Sequence, residues 1–338
     1  MLFIYSRFLF ILINIFVLVN FSFAANEEID SLENKLVFVS NSEKATILNK
    51  LSEYYLPVET NKSLKYAKEA LQISITINDS VNLSLAYHNL GRFQASYDEL
   101  EKAISYFLIS LKISEQINYP EGLGKGYNSL GLMHWKLGEN KKAITYFKLA
   151  QDYFIKINNL ELIASTINNL GIIYVENQDY ENGIKNFKKT LSLMKELGKI
   201  HKMATALNNI GYVYELMEDY ESGLHYYSKS LKLADSLQLK WSKANSLSNI
   251  GNIYYKKGQH LRAIKHIDQS LLIAQEINAK IIILECTNQL SIIYSESGSY
   301  KKAFEYNKLH SSIKDSILNE KKNKQIVKMQ TRYETEKK

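Results

Sequence analysis

The chain has 338 residues, with 42 Lys and Arg against 35 Asp and Glu for a formal net charge of +7. A single cysteine excludes an intramolecular disulfide framework. Two prolines and fourteen glycines, beside abundant Leu, Ile, Lys, Glu, Asn and Tyr, fit an all-helical protein. The positive excess concentrates in residues 319–338, which hold seven Lys or Arg against three Glu. A charge gathered in one tail of a chain with an export signal argues against a nucleic-acid partner.

Residues 1–24 stand apart from everything that follows. Arg7 precedes an apolar run over residues 8–19, and Ser22-Phe23-Ala24 places small residues where a signal peptidase cuts. The pattern predicts a signal peptide cleaved after Ala24 and an exported protein, periplasmic or secreted. The alternative is an uncleaved membrane anchor, since residues 8–25 are about long enough to span a bilayer. Asn14 and Asn20 within the run speak against it, and no cysteine at the junction offers a lipid attachment point. Residues 25–44 then predict a short capping helix, with Ile29, Leu32 and Leu36 turned inward.

From there one phrase governs the chain. Gly91, Gly131, Gly171, Gly211, Gly251 and Ser291 recur every forty residues, and twelve residues after each stands Ala103, Ala143, Gly183, Gly223, Ala263 or Ala303. Around the first column, residues such as Ala164, Ile167, Leu170, Gly171 and Tyr174 fall at spacings of three and four, the mark of one helix face. After the polar turn at residues 176–179, Ile184, Phe187, Leu191 and Met194 mark a second helix. Each pair is an antiparallel hairpin that cannot bury its apolar face alone, so the hairpins must stack. A mid-helix glycine costs about 1 kcal/mol against alanine, and its repetition predicts close helix contact, with the first-column residue meeting the second-column one.

Further columns support the same register: Tyr174, Tyr214, Tyr254 and Tyr294 close the first helices, and Phe107, Phe147, Phe187, Tyr227 and Ile267 fill the second. Small residues in two columns, Leu or Ile before the first, Tyr three after it and an aromatic four after the second resemble the tetratricopeptide repeat, in a forty-residue form. The resemblance implies an all-α, right-handed α-solenoid of about seven antiparallel hairpins. The repeats would be residues 45–83, 84–123, 124–163, 164–203, 204–243, 244–283 and 284–318, an array over 45–318. Ser52 replaces glycine in the first repeat, whose turn is one residue shorter, and the last has Ser291 for glycine and Asn307 for the aromatic. Residues 319–338 read as a basic helix with a narrow seam of Ile326, Met329 and Tyr333, either a solvated tail or a coiled-coil linker. They resemble the linker after exported repeat arrays in bacterial membrane sensors, which leads to a transmembrane helix and a signalling domain. Neither follows Lys338 in this sequence.

No reactive constellation accompanies the repeats. The seven histidines form no His-Glu-x-x-His pair and no zinc spacing with the cysteine. The glycines make no phosphate loop, and no Gly-x-Ser-x-Gly elbow is present. The expectation is a protein that is not an enzyme and holds no metal or cofactor. Cys286 takes a helix position filled by Ala206 and Ser246 in neighbouring repeats, which predicts a buried structural thiol.

The informative polar residues precede the first column: Asn89, Asn169, Asn209 and Asn249, with Asn128, Asn168 and Asn208 one position earlier. At about 100° per residue they lie off the centre of the core. The resemblance places first helices on the inner wall of the solenoid and these amides beside its groove. An amide both donates and accepts, which suits the backbone of an extended peptide, and the row resembles the asparagine ladder in the repeat domain of the enzyme that attaches N-acetylglucosamine to serine and threonine. The other reading of the same amides is that they tie one hairpin to the next. Trp135, Tyr212 and Tyr255 share this wall as candidate contact groups, Trp135 and Tyr212 being expected at the surface. Clustered cations for an acidic tail are few, Arg92 and Lys125 among them. The implied partner is a protein or extended peptide bound along the inner wall. The alternatives are the sensory part of a membrane signalling protein, acting with a membrane-bound partner, and self-assembly through the C-terminal helix.

Overall fold

The computed structural model describes residues 23–336, so the predicted signal peptide lies, but for its last two residues, outside the described residues. Among the described residues fifteen helices succeed one another with no strand. They are α1 (Phe23–Lys35), α2 (Asn41–Tyr55), α3 (Thr60–Thr76), α4 (Ser80–Ser96), α5 (Leu100–Gln116), α6 (Pro120–Lys136), α7 (Asn140–Lys156) and α8 (Leu160–Glu176). There follow α9 (Tyr180–Glu196), α10 (Ile200–Leu216), α11 (Tyr220–Ser236), α12 (Lys240–Lys256), α13 (His260–Glu276), α14 (Lys280–Glu296) and α15 (Tyr300–Glu336). The fold is an all-α helical repeat solenoid, in two compact units that meet in sequence at residues 177 and 178. None of the described helices is long and apolar enough to cross a membrane.

The helices keep a beat of twenty residues, half the sequence period. The second residue after each helix from α3 to α14 has positive φ, as at Asn78 (56°), Asn118 (49°), Asn158 (52°) and Gly138 (80°). Asn and Gly enter this left-handed region at least cost, although Asp98, Gln178, Glu218 and Gln238 take it too. The amide one residue further on reaches back across the last turn, as from Asp79 to the Ser74 carbonyl at 2.9 Å and from Glu139 to that of His134 at 2.9 Å. This bond satisfies an otherwise orphaned helix carbonyl and turns the chain sharply into the next helix. Helix starts are capped less uniformly: Asp79, Asn159, Asp179 and Asp219 accept from the third residue onward, and Pro120 opens α6, where its missing N–H costs nothing.

In the first unit, α1 lies over α2. Ile29 joins Ile47, Leu51 and Tyr55 in one apolar cluster, and the Glu33 carboxylate accepts from Tyr66 Oη at 2.7 Å and Tyr55 Oη at 2.8 Å. Those bonds, the Tyr66 one foremost, hold the Glu33 carboxyl below its usual range. Further on, Ala103, Phe107, Leu111, Leu123, Leu130 and Met133 form the core. In the second unit Tyr227 packs with Ile250 and Ile253, and Ile267, Leu271, Ile282, Leu290 and Ile293 fill the core around Cys286. The Cys286 thiol is buried, donates to Ser270 Oγ at 3.3 Å, and is pushed up to about 12 by desolvation. It is a structural thiol.

The first glycine column proves to face an aromatic ring more than the small residue assigned to it. A Cβ on Gly91 would stand 2.5 Å from Phe107, one on Gly131 2.9 Å from Phe147, and one on Gly211 2.7 Å from Tyr227. The aromatic sixteen residues on needs the missing side chain, because its ring atoms occupy the space a Cβ would take. The small second column does what was expected of the first: a Cβ on Gly223 would sit 3.4 Å from the Gly211 carbonyl oxygen. Where serine replaces glycine the contact becomes polar, with Ser291 Oγ donating to the Ala303 carbonyl at 3.0 Å and Ser63 Oγ to that of Ser52 at 2.8 Å. A second tie recurs at the other end of the hairpin. Ser110, Ser230 and Ser270 donate to the carbonyls of Ser84, Ala204 and Ala244 at 2.8, 2.8 and 2.7 Å.

Gly91→Ala is therefore expected to lose stability, about 1–2 kcal/mol net, because overpacking outweighs the gain in helix propensity. Phe107→Leu in the same chain should recover part of the loss. Urea denaturation of both variants measures this.

Candidate functional site

Successive first helices touch one another directly: α2 with α4 and α4 with α6 in the first unit, α10 with α12 and α12 with α14 in the second. Thus α2, α4 and α6 stand side by side as a wall in the first unit, and α10, α12 and α14 in the second. A helix in that wall has neighbours on two flanks besides its own hairpin partner, and this decides what the polar columns do.

Several candidate contact residues lie in those flanks. Asn89 is 3% exposed and donates through Nδ2 to the backbone carbonyl of Asn49 at 3.0 Å and to Asn49 Oδ1 at 3.2 Å. Asn49 donates in turn to the carbonyl of Asn82 at 3.0 Å, so α2 and α4 are laced by amides. Asn249 Nδ2 donates to Asn208 Oδ1 at 3.2 Å, joining α12 to α10. Asn169 and Asn209 are buried, and Asn168 and Asn209 both have partners. Asn128 and Asn168 are half-buried. Trp135, expected at the surface, is 5% exposed, and its Nε1 donates to Glu176 Oε2 at 2.6 Å. The expectation of an exposed indole fails: the ring is buried, and its N–H is taken up by Glu176 at the end of α8. Tyr212 and Tyr255 stay half-buried, the latter donating to Glu296 Oε1 at 2.8 Å.

Two charged clusters on the wall were not foreseen as clusters. In the first unit, Glu53 lies 3.5 Å from Arg92 and 3.9 Å from Lys125, which also pairs with Glu121 at 2.9 Å. His88 is buried behind them, its Nε2 2.9 Å from Ser129 Oγ. Burial, and then the charges of Arg92 and Lys125, hold His88 well below the usual imidazole range, so it is neutral at pH 7. In the second unit Glu215 is 4% exposed, and three donors surround it: Tyr227 Oη at 2.8 Å, Asn252 Nδ2 at 2.6 Å and Lys256 Nζ at 2.9 Å. Glu285, on α14, makes no hydrogen bond or ion pair among the described residues, and desolvation together with the Glu215 charge raises it to about 7. The signal for Glu215 was readable, since its column otherwise holds Ala95, Trp135, Val175, Tyr255 and Ser295. Among the described residues no three His, Cys, Asp or Glu are grouped to hold a metal.

Family comparisons fit this architecture. Profiles described as tetratricopeptide repeat match residues 81–107 and 124–153, and a second such profile matches 162–236 and 242–315. These stretches make up more than half of the chain. It belongs to the tetratricopeptide repeat family. Comparison with curated proteins gives no significant sequence match. Among solved structures, a signal transduction ATPase with numerous domains and a tetratricopeptide repeat sensor, from Pyrococcus horikoshii, aligns at a TM-score of 0.68 and 17% identity. That match covers 86% of this chain and 45% of the other. The apo form of RapI aligns at 0.64 and 15% identity, over 82% of this chain and 99% of that one. BtubC from P. vanneervenii aligns at 0.53 and 17% identity, over 64% and 90%. At these identities the likeness is one of fold.

The Glu285 carboxyl gives a pH signature. A folded-state value above the unfolded one means the folded tetratricopeptide chain binds more protons between about pH 4.5 and 7, so its contribution to stability is present at low pH and declines through that window. Wild type should lose more stability from pH 5 to pH 7.5 than Glu285→Gln does, as read by urea midpoints at each pH.

Proposed function

We propose that this tetratricopeptide protein is an exported, non-enzymatic scaffold that receives an extended segment of a partner protein along its first-helix wall. The observation that carries the reading is the wall itself: first helices side by side, repeating the same register, with half-buried amides and phenols among the groups they present. Asn128, Asn168, Tyr212 and Tyr255 are the groups best placed to meet a guest. Asn89, Asn169, Asn208, Asn209, Asn249 and Trp135 act behind them, fixing the spacing of the helices on which a regular peptide backbone depends. Several amide bonds at about 1 kcal/mol net each give modest affinity, which a shape-matched groove supplements. Export rests on the leader-like residues 1–24.

A second reading is that the array is the sensory part of a membrane signalling protein. What favours it is the likeness in fold to the Pyrococcus horikoshii protein, whose repeats are described as a sensor, and the long final helix α15. Both readings place the ligand on the same wall.

A photocrosslinking residue at Tyr212 or Tyr255 is expected to capture a partner from the native cell envelope, while one at the exposed second-helix position Lys148 captures none. Capture from Lys148 alone would refute the wall. Sequencing of the mature amino terminus should begin at Ala25 if the chain is exported and cleaved.

A further inference from the structure

Each second helix from α3 to α13 is covered by the first helix of the repeat after it. Among the described residues no helix follows α15, and one column registers the difference. Leu64, Ile104, Ile144, Ile184, Leu224 and Ile264 are all half-buried, whereas Phe304 in the same place is 70% exposed and Tyr300, one turn earlier, 72%. Neighbouring columns turn polar here: Asn307 stands where Phe107 is buried, and Ser311 where Leu111 and Leu271 are. Those changes suit the polar outer face that the end of a repeat array needs. An exposed phenyl and phenol ring do not.

Phe304, Lys308, Ser311, Asp315 and Leu318 follow one another at spacings of three and four, so they share one face of α15, and all are exposed. Lys308 and Asp315 make no ion pair or hydrogen bond among the described residues. The charges on the flank are committed, Lys280 being paired with Glu320 while it donates to Ser316 Oγ at 2.8 Å. Between Lys308 and Asp315 stand Ser311 and Ser312, which line an open depression with them. This stripe complements itself when reversed. Turned end for end about Ser311, it sets Lys308 opposite Asp315, Phe304 opposite Leu318, and Tyr300 opposite Lys322, whose stem covers the ring. The small serines fall where the two helix axes would come nearest. Head-to-tail stacking is blocked, because α1 already covers α2, with Ile29 against Ile47, Leu51 and Tyr55.

We infer that two copies of this chain pair through α15, antiparallel about a two-fold axis at Ser311, each burying Phe304 against Leu318 of the other copy. Ile326 and Met329, 53% and 71% exposed, then reach past the start of the other copy's α15 and stay outside the pair. That distinguishes the arrangement from a parallel coiled coil through the end of the helix, in which those two residues form the seam and Lys308 faces Lys308. The pair uses a second helix and stands whether or not the first-helix wall binds a guest. With a guest on the wall, a pair presents two walls, and a partner carrying two segments binds with avidity.

Sedimentation equilibrium of the purified protein, from about 1 to 100 µM, tests the pair. The expected result is a reversible monomer–dimer equilibrium with a Kd of about 10 µM. Phe304→Asp should weaken it at least about tenfold. Lys308→Glu should weaken it about tenfold, since both ion pairs of the dimer become repulsive, and Lys308→Glu/Asp315→Lys should restore it to within about threefold. Ile326→Ser/Met329→Ser should leave it unchanged. All these side chains are exposed, so circular dichroism is expected to show the helices retained in every variant. A protein still monomeric at about 100 µM, a dimer indifferent to Phe304→Asp, or a charge reversal that the double variant does not rescue overturns the inference. Loss of the dimer in Ile326→Ser/Met329→Ser overturns it too and assigns the pairing to a parallel coil.

Discussion

A ring packed against a glycine is the contact on which the hairpins depend. Phe107 over Gly91, Phe147 over Gly131 and Tyr227 over Gly211 bury their rings almost completely, and each does so only because the first helix has no side chain there. A fully buried ring of this kind contributes about 2–3 kcal/mol, more than the roughly 1 kcal/mol that a mid-helix glycine costs. The ring fixes both the distance and the rotation of the two helices. Everything on the first-helix wall inherits its spacing from that contact.

The large scale of the fold was legible in the sequence because the repeat multiplies a weak signal. One glycine in a helix means little, whereas five in register at forty-residue spacing leave few alternatives. What the glycine faces was harder to read: the twelve-residue partner is nearest in sequence, but the ring sixteen residues on is longer and reaches further. The twenty-residue beat was also hidden. The turns between hairpins and within them share one left-handed geometry, yet fill it with Asn, Gly, Asp, Gln or Glu, so no single residue type reveals it.

The wall was read less well, and the reason is geometric. Asn89 and Trp135 were placed relative to one core side of a single helix, which left the opposite side apparently open. In a stack, the next first helix occupies much of that side, so Asn89 meets Asn49 and Trp135 meets Glu176. Of the two readings open for the amides, the tie between hairpins describes Asn89, Asn208 and Asn249. Glu215 stood out in its column, but a carboxylate on a helix usually means a solvated face, and only the three-dimensional neighbours show it crowded by donors.

The wall and the partner surface are thus two layers of one structure. Amides laced between adjacent first helices set the pitch, and the half-buried groups beside them meet the guest. The Asn208 to Asn249 bond tests the first layer most directly, since it joins two side chains with no backbone group involved. A double-mutant cycle with Asn208→Ala and Asn249→Ala, followed by urea denaturation, should give a coupling of about 0.5–1.5 kcal/mol. Additive losses, within about 0.3 kcal/mol, would contradict the account and return these asparagines to the groove.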